Sequence, residues 1–552
     1  MAGEIRKSPA QAGLLTAGVG GDASIGTAGG SLWFAIAITA GFAAILFPII
    51  LQHAMWRDEL QVWQLVRARP GLGQLLLSAR YEGHPILWFL MVDAVAHLTA
   101  DPVAMKVLHA AVASGTVFIV AWRAPWKPIF RAAFALGYFP LFEYGVISRN
   151  YSVGVLLGFA ACAIIASPKR IPLLLLALVL LLMTQCNVFA GILALALAWG
   201  AWVEWLARRN EGREELPRSR MIIAVAVMVV GALILAIELR PASDAGMNQY
   251  WYARFNWYRV EATTATLAHV LLPIPGRLVH FWGSNLLDPS APVGALVAVI
   301  LGVAAVAVSA RRPAALVVLV LCFSGVLGFM YVKVAQWGMR HQGHMFIAFL
   351  MGDWLSRQGA PWPARWRELT TRVCDKWANV LLGSLLAVQA ATGLWAVERD
   401  VQYPFSAGRQ TAQYIQQNFP ADVPIVGDMD AAASTVAGYL GRSVYYVSGH
   451  RDGTYIIWDK KRKDEQVDQD GGKTWAPPDE VIRQAERIAA QRSSDVVIVF
   501  SQILDHNMDL VADRVPVLPA NVRHVWRSSD AIEADEVYDL YVVSKPVAQP
   551  AR

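Results

Sequence analysis

Two short stretches carry the residue types of acid–base chemistry: Trp56-Arg57-Asp58-Glu59 and Glu82-Gly83-His84-Pro85. Asp58 and Glu59 follow closely on one apolar run, and Glu82 and His84 precede a second. A carboxylate within hydrogen-bond reach of a hydroxyl can take its proton if the site is dry enough to tune its pKa. Neighbours on a helix point about 100° apart, so Asp58 and Glu59 suit two jobs, a general base and a substrate-orienting carboxylate. An isolated Asp-Glu pair would do no more than complement a helix N-terminus and face headgroups. Glu82 and His84 on the same loop tip the balance toward a site. Pro85, at a first-turn position, sets the chain direction and places His84 near a helix N-terminus, where an anionic oxygen is readily held.

Two sets of cations accompany these carboxylates. Arg149 and Tyr151 lie at the junction of two apolar runs, and Lys333, Arg340, His341 and His344 gather at another run's boundary. A snorkelling arginine would explain Arg149 alone. Together the sets fit a phosphate-bearing lipid substrate, with cations holding phosphate while a carboxylate does acid–base work. His341 and His344 have no evident third ligand nearby, so a metal site is not expected there. A divalent ion on Asp58, Glu59 and Glu82 stays open.

These residues must be positioned by a membrane scaffold. Of 552 residues, 56% are hydrophobic and 16% charged, against about 25% charged in soluble domains. Spanning the hydrocarbon takes roughly 20 apolar residues, sometimes 17. Runs of that kind are read at 32–52, 104–122, 129–147, 151–167, 171–186, 188–206, 219–239, 291–309, 313–333, 343–356 and 378–398. Clusters of Lys and Arg at 123–131, 169–170, 208–220, 311–312 and 357–376 alternate with loops nearly free of them. Placing the clusters in the cytoplasm leaves a single crossing between Glu82 and Arg123, so 86–98 is expected to dip into the bilayer without spanning it. The result is about eleven transmembrane helices with the N-terminus inside. The loops 53–103 and 240–290 and the C-terminal region then lie outside. Within 53–103, the stretches 58–69 and 72–80 are amphipathic, divided at Pro70-Gly71, and fit interfacial helices. The aromatics of 240–290, such as Trp251 and Trp257, fit headgroup level.

Residues 1–30 read as a flexible cytoplasmic tail, 31–398 as the membrane domain and 399–552 as a small α/β domain, with helical stretches alternating with short β-branched runs. The span at 31–52 is too long for a secretory signal core and is expected to be retained. Four cysteines without metal or CxxC spacing argue against a disulfide framework. The net charge of +6 is accounted for by the cytoplasmic loops, so no nucleic-acid partner is expected.

In the order of its motifs the chain resembles the GT-C superfamily of polytopic glycosyltransferases. The closer likeness is to the branch with protein O-mannosyltransferases and lipid A aminoarabinose or galacturonic acid transferases. The matching residues are Asp58-Glu59 after the first span, Glu82-Gly83-His84-Pro85 before the short helix, and Ser148-Arg149-Asn150-Tyr151 in place of that branch's Arg-x-Tyr element. Ile86 stands where the branch has a second proline. The resemblance implies a GT-C fold in a bacterial inner membrane and an inverting transfer at the periplasmic face. The donor would be a polyprenyl-phosphate-linked monosaccharide, the acceptor a glycolipid, polysaccharide or protein. It also implies Asp58 as catalytic base, Glu82 and His84 in the donor pocket, lipid phosphate near Arg340 and His341, and no nucleotide sugar or other cofactor. The alternative is a transporter or flippase for lipid-linked saccharides. Transporters carry ionisable residues through their central spans and often internal repeats, and this sequence has few of the former and none of the latter.

Overall fold

The protein is described here from a computed structural model covering residues 31–68, 71–168, 171–212, 217–246, 251–333, 338–362, 374–464, 476–501 and 518–545. The tail 1–30, Pro70 and the basic pair Lys169/Arg170 lie outside the described residues. The helical part opens with α1 (Leu32–Gln52), α2 (Arg57–Ala68), α3 (Leu72–Ala79), α4 (Leu87–Ala96) and α5 (Val103–Arg123). It continues through α6 (Pro128–Ala135), a π-helical segment Tyr138–Glu143, α7 (Tyr151–Ile165), α8 (Leu173–Thr184), α9 (Val188–Asn210) and α10 (Arg218–Glu238). Next come α11 (Trp257–Leu271), α12 (Ala291–Ser309), α13 (Pro313–Val332), α14 (Met339–Gln342), α15 (His344–Gln358) and α16 (Cys374–Gln402).

Among the described residues, seven helices are long and apolar enough to cross a membrane: α1, α5, α9, α10, α12, α13 and residues 377–402 of α16. Helices α4, α7, α8 and α15 are shorter, at 10 to 15 residues. The run at 129–147, read as one span, is broken. Pro140 lies within it, and α6 ends at Ala135 before the π-helical segment begins at Tyr138. Gly393 of α16 packs directly on the backbone of Leu136–Tyr138, where any Cβ would collide. Close approach of α16 thus occupies the ground a continuous helix would need.

The C-terminal part is an α/β unit built from α17 (Gly408–Asn418), β1 (Ile425–Asp428), α18 (Asp430–Leu440), β2 (Val444–Tyr446), β3 (Arg451–Gly453), α19 (Lys460–Asp464), α20 (Pro478–Arg492), β4 (Val496–Ser501), β5 (Val522–Arg527) and β6 (Tyr538–Val543). The strands form one six-stranded sheet of order β3-β2-β1-β4-β6-β5. β1 is parallel to β2 and β4, and the outer pairings are antiparallel. All six residues of β4 are buried, as expected of a strand covered on both faces. Val497 and Val499 pack with α17 and α18 on one face. Val496 and Ile498 pack with Val481, Ile482 and Ala485 of α20 on the other.

This unit rests on α2. Gly438 brings α18 so close that an added Cβ would lie 3.1 Å from Leu60. Gln61 exchanges two hydrogen bonds with the Ile456 backbone, at 2.7 and 2.9 Å. Arg57 reaches Asp535 at 2.5 Å, with Glu533 and Glu536 each at 3.7 Å. Removing Arg57 leaves three carboxylates facing one another. Arg57→Ala is therefore expected to weaken the seating of the α/β unit by about 2 kcal/mol, the scale of hydrogen bonds to charged groups. Thermal unfolding and limited proteolysis across 403–407 in detergent would show it. An unchanged pattern would mean that the Gln61 contacts and the hydrogen bond from the Tyr439 hydroxyl to the Met55 carbonyl, 3.2 Å, hold the unit without it.

Candidate active site

The site is built where α1 gives way to α2. Trp56 caps α2, its carbonyl receiving the Glu59 and Leu60 amides at 3.1 Å each. Glu59 reaches back from the third helical position to accept the Trp56 N–H at 3.2 Å, the reciprocal half of a capping box. Its other oxygen accepts the Ser148 N–H at 2.7 Å, and His53 Nε2 lies 3.1 Å from the first. Glu59 is fully buried, with both oxygens occupied. The structure thus gives this residue, expected to share the catalytic work, the task of tying α2 to the loop before α7.

Asp58 points elsewhere. Its side chain is 24% exposed and opens onto a cavity of about 130 Å³. Arg149 grips it twice, donating to the Asp58 carbonyl at 2.5 Å and lying 3.3 Å from the carboxylate. Arg340 stands 3.6 Å from the same carboxylate. Burial pulls the Asp58 pKa upward, but the charges of Arg149, Arg340 and Arg57 outweigh it and hold the group below its usual value. The carboxylate is therefore ionised at neutral pH.

Glu82, His84 and Gln61 share the cavity wall with Asp58 and Arg149. The Gln61 amide donates to Glu82 at 2.9 Å, and burial raises the Glu82 pKa to about 7. Burial and then the Arg149 charge push the His84 pKa down to about 3, so its ring is neutral. Nε2 of that ring lies 3.3 Å from Arg149 Nη2, where it can only accept. The remaining wall comes from the α/β unit, through Ala431, Ser434, Ile456 and Trp458. The cavity is thus a cleft between the helical part and its cover.

The second cation cluster divides. The Arg340 guanidinium carbon lies 5.2 Å from the ring centres of both Trp56 and Trp282, an arrangement that holds a cation through the ring faces. Its Nε is buried without a partner among the described residues. Trp282 in turn donates to buried Glu143 at 3.0 Å. His341 shares a 2.9 Å hydrogen bond with the Tyr151 hydroxyl and stacks on Phe189. Burial and then Arg340 keep its pKa well below the ordinary value. His344 is buried behind it, Nδ1 3.1 Å from the His341 carbonyl. Lys333 lies apart, its ammonium over the Trp251 ring. Asp58, Glu82, His84, Arg149, Tyr151, Arg340 and His341 are therefore linked into one site. Glu59 and His344 support it from behind, and Lys333 is at its margin. Among the described residues, no three His, Cys, Asp or Glu side chains are grouped so as to hold a metal ion.

No protein-family model matches the sequence, and no curated protein matches it. Among solved structures, the chain is similar to a crystal structure of ArnT from Cupriavidus metallidurans bound to undecaprenyl phosphate. That pair shares 12% identity over 94% of this chain and 100% of that one, with a TM-score of 0.48. The apo state of the same protein gives 13% identity, coverage of 94% and 99%, and a TM-score of 0.47. A cryo-EM structure of the arabinofuranosyltransferase AftD from Mycobacteria gives 13% identity over 92% of this chain and 40% of that one, with a TM-score of 0.40.

Sequence reasoning passed over Trp282, Gln61, His53, Asp400 and Trp458. Gln61 and His53 are close neighbours of Asp58 in the chain, whereas Trp282, Asp400 and Trp458 come from distant segments. The one signal available was polarity at span ends, since His53 closes α1 and Asp400 lies near the end of α16.

Proposed function

We propose that the protein is an inverting glycosyltransferase that moves a monosaccharide from a polyprenyl phosphate to an acceptor at the periplasmic face of a bacterial inner membrane. The observation that carries this is the Asp58 carboxylate held against Arg149 and Arg340 in a cavity at one end of the helices. In the reaction, Asp58 takes the acceptor hydroxyl's proton while that oxygen bonds to the anomeric carbon from the side opposite the phosphate. The bond from the anomeric carbon to the phosphate oxygen breaks and its electron pair leaves with the polyprenyl phosphate. Arg340 and Arg149 stabilise that growing charge, the largest kind of electrostatic contribution available to such a site. Neutral His84 and His341 offer hydrogen bonds without repelling either charge. Glu82 and Tyr151 line the sugar side.

The orientation is supported by the arrangement of charge along the helices. His53, Lys106, Phe189, His344 and Asp400 are at the site end of α1, α5, α9, α15 and α16. Arg123, Arg208, Arg209 and Arg357 lie at the opposite ends of α5, α9 and α15, and Arg311 and Arg312 lie in the turn between α12 and α13, with Arg311 paired to Asp353 near that end of α15. Basic residues collect on the cytoplasmic side, which supports a reading with Asp58 and the α/β unit outside. The eleven-crossing topology belongs to this proposal, with the shorter helices α7, α8 and α15 and the broken 129–147 segment as tilted or packed crossings.

The test uses the purified protein in liposomes with a polyprenyl-phosphate monosaccharide and an envelope extract as acceptor source. Release of sugar-free polyprenyl phosphate with incorporation of sugar into acceptor is expected. Movement of intact donor between leaflets without its consumption would overturn the reading in favour of transport.

A further inference from the structure

The cluster at the base of α2 goes beyond the reacting groups. His53 is fully buried between Asp400 and Glu59, with Nδ1 3.0 Å from both Asp400 oxygens and Nε2 3.1 Å from Glu59. A neutral imidazole has one N–H and one lone pair, so it would turn a lone pair toward one of these carboxylates. Only the imidazolium donates to both. Glu59 passes the constraint onward, because its second oxygen holds the Ser148 N–H and the next residue, Arg149, grips Asp58 at both carbonyl and carboxylate.

We propose that His53, as an imidazolium clamped between Asp400 and Glu59, is a positioning residue that sets the distance between Asp58 and Arg149. The inference rests on the transferase reading and adds a residue to it. Two carboxylates that favour a charged ring and two cations that oppose it face His53 from the elements packed around it. Asp400 comes from α16 and Glu59 from α2. From α5, Lys106 donates to the His53 carbonyl at 2.6 Å, and His109 is the second titratable group on that side. From α17, Arg409 donates to the same carbonyl at 2.6 Å. Phe405 packs on the ring at 4.9 Å. Burial opposes the charge on His53, and Asp400 and Glu59 outweigh it, holding its pKa at about 9. The clamp is therefore closed at neutral pH and opens as pH rises through about 9.

The pH dependence of kcat separates positioning from simple structural support. In the wild type, kcat should fall on the alkaline side near pH 9. Asp400→Asn removes one of the two charges that hold the proton, and should move that limb down by roughly one to three pH units, the range for losing an opposite charge at contact. Below the shifted limb, where the clamp stays closed, the KM for donor should stay within about twofold, since Asp400 touches neither the cavity nor Arg340. His53→Asn should lower kcat and abolish the limb. The same titration is read independently of activity from ¹⁵N-histidine NMR of the whole protein, where the resonance missing in His53→Asn titrates near 9 in the wild type and lower in Asp400→Asn. A ring that titrates near 6.5, or an alkaline limb that Asp400→Asn lowers in height without moving, would overturn the clamp. Absence of any sugar transfer by wild type at all pH values, with the ring still titrating near 9, would instead overturn the transferase reading on which it rests.

Discussion

Asp58→Asn is expected to reduce kcat by about 10³-fold, within the 10²–10⁴-fold range for removing a positioned proton acceptor. The amide keeps the size of the carboxylate, and Arg149 keeps its 2.5 Å bond to the residue 58 carbonyl, so the loop and the fold should survive. What is lost is the ionised oxygen facing the cavity. The same change has an opposite effect on donor binding. Arg149 and Arg340 now share one carboxylate at 3.3 and 3.6 Å. Freed of it, they should hold a phosphate more tightly. Lower kcat with equal or lower donor KM is the expected signature, since loss of a group used only in the transition state leaves ground-state binding intact. A variant with wild-type kcat would remove Asp58 from the chemistry.

Arg340→Ala should act on both parameters, raising donor KM and lowering kcat so that kcat/KM falls by about 30-fold or more. The guanidinium holds the phosphate in the ground state and its growing charge in the transition state. Truncating one partner of a hydrogen-bonded charge pair costs 2–5 kcal/mol, and here the guanidinium is also held against Trp56 and Trp282. Arg340→Lys restores charge but not the planar group, so it should recover only part of the loss. Donor affinity can be read by native mass spectrometry as well as from KM. Unchanged affinity in Arg340→Ala would shift the phosphate contact to Arg149 or Lys333.

How much of this was legible from the chain depends on how local each signal was. The Asp58-Glu59 dipeptide announced a helix start and two carboxylates, and helical geometry said they would face different ways. Which one faces the cavity was decided by Ser148 and His53, and no spacing rule connects those to residue 59. The partnership of His53 with Asp400 joins residues 347 positions apart, and only packing of α16 beside the end of α1 brings them together. Arg149 and Arg340 were read as cations near a membrane face, yet their meeting at one carboxylate depends on how α7 and α14 are placed. Lys333 looked the same in sequence and went to Trp251 instead.

The fold shows the same division. Long apolar runs such as 32–52, 291–309 and 313–333 gave helices at nearly the residues read. At 129–147 composition alone misled, because apolarity does not distinguish a continuous helix from one broken around Gly137 and Pro140 and pressed upon by Gly393. In the α/β unit the buried strands β1, β2, β4 and β6 carried β-branched runs. The edge strands β3 and β5 did not: Arg451–Gly453 is polar throughout, and Val522–Arg527 is largely exposed. An edge strand lacks the two-sided burial that writes a hydrophobic pattern into sequence.

The measurement closest to the central claim is a cryo-EM reconstruction of the full chain with added polyprenyl monophosphate. Phosphate density between the Arg149 and Arg340 guanidinium groups, with the lipid chain running from it into the bilayer and the Asp58 cavity open beside it, is the predicted result. Phosphate bound away from both arginines, in a protein that still transfers sugar, would contradict it.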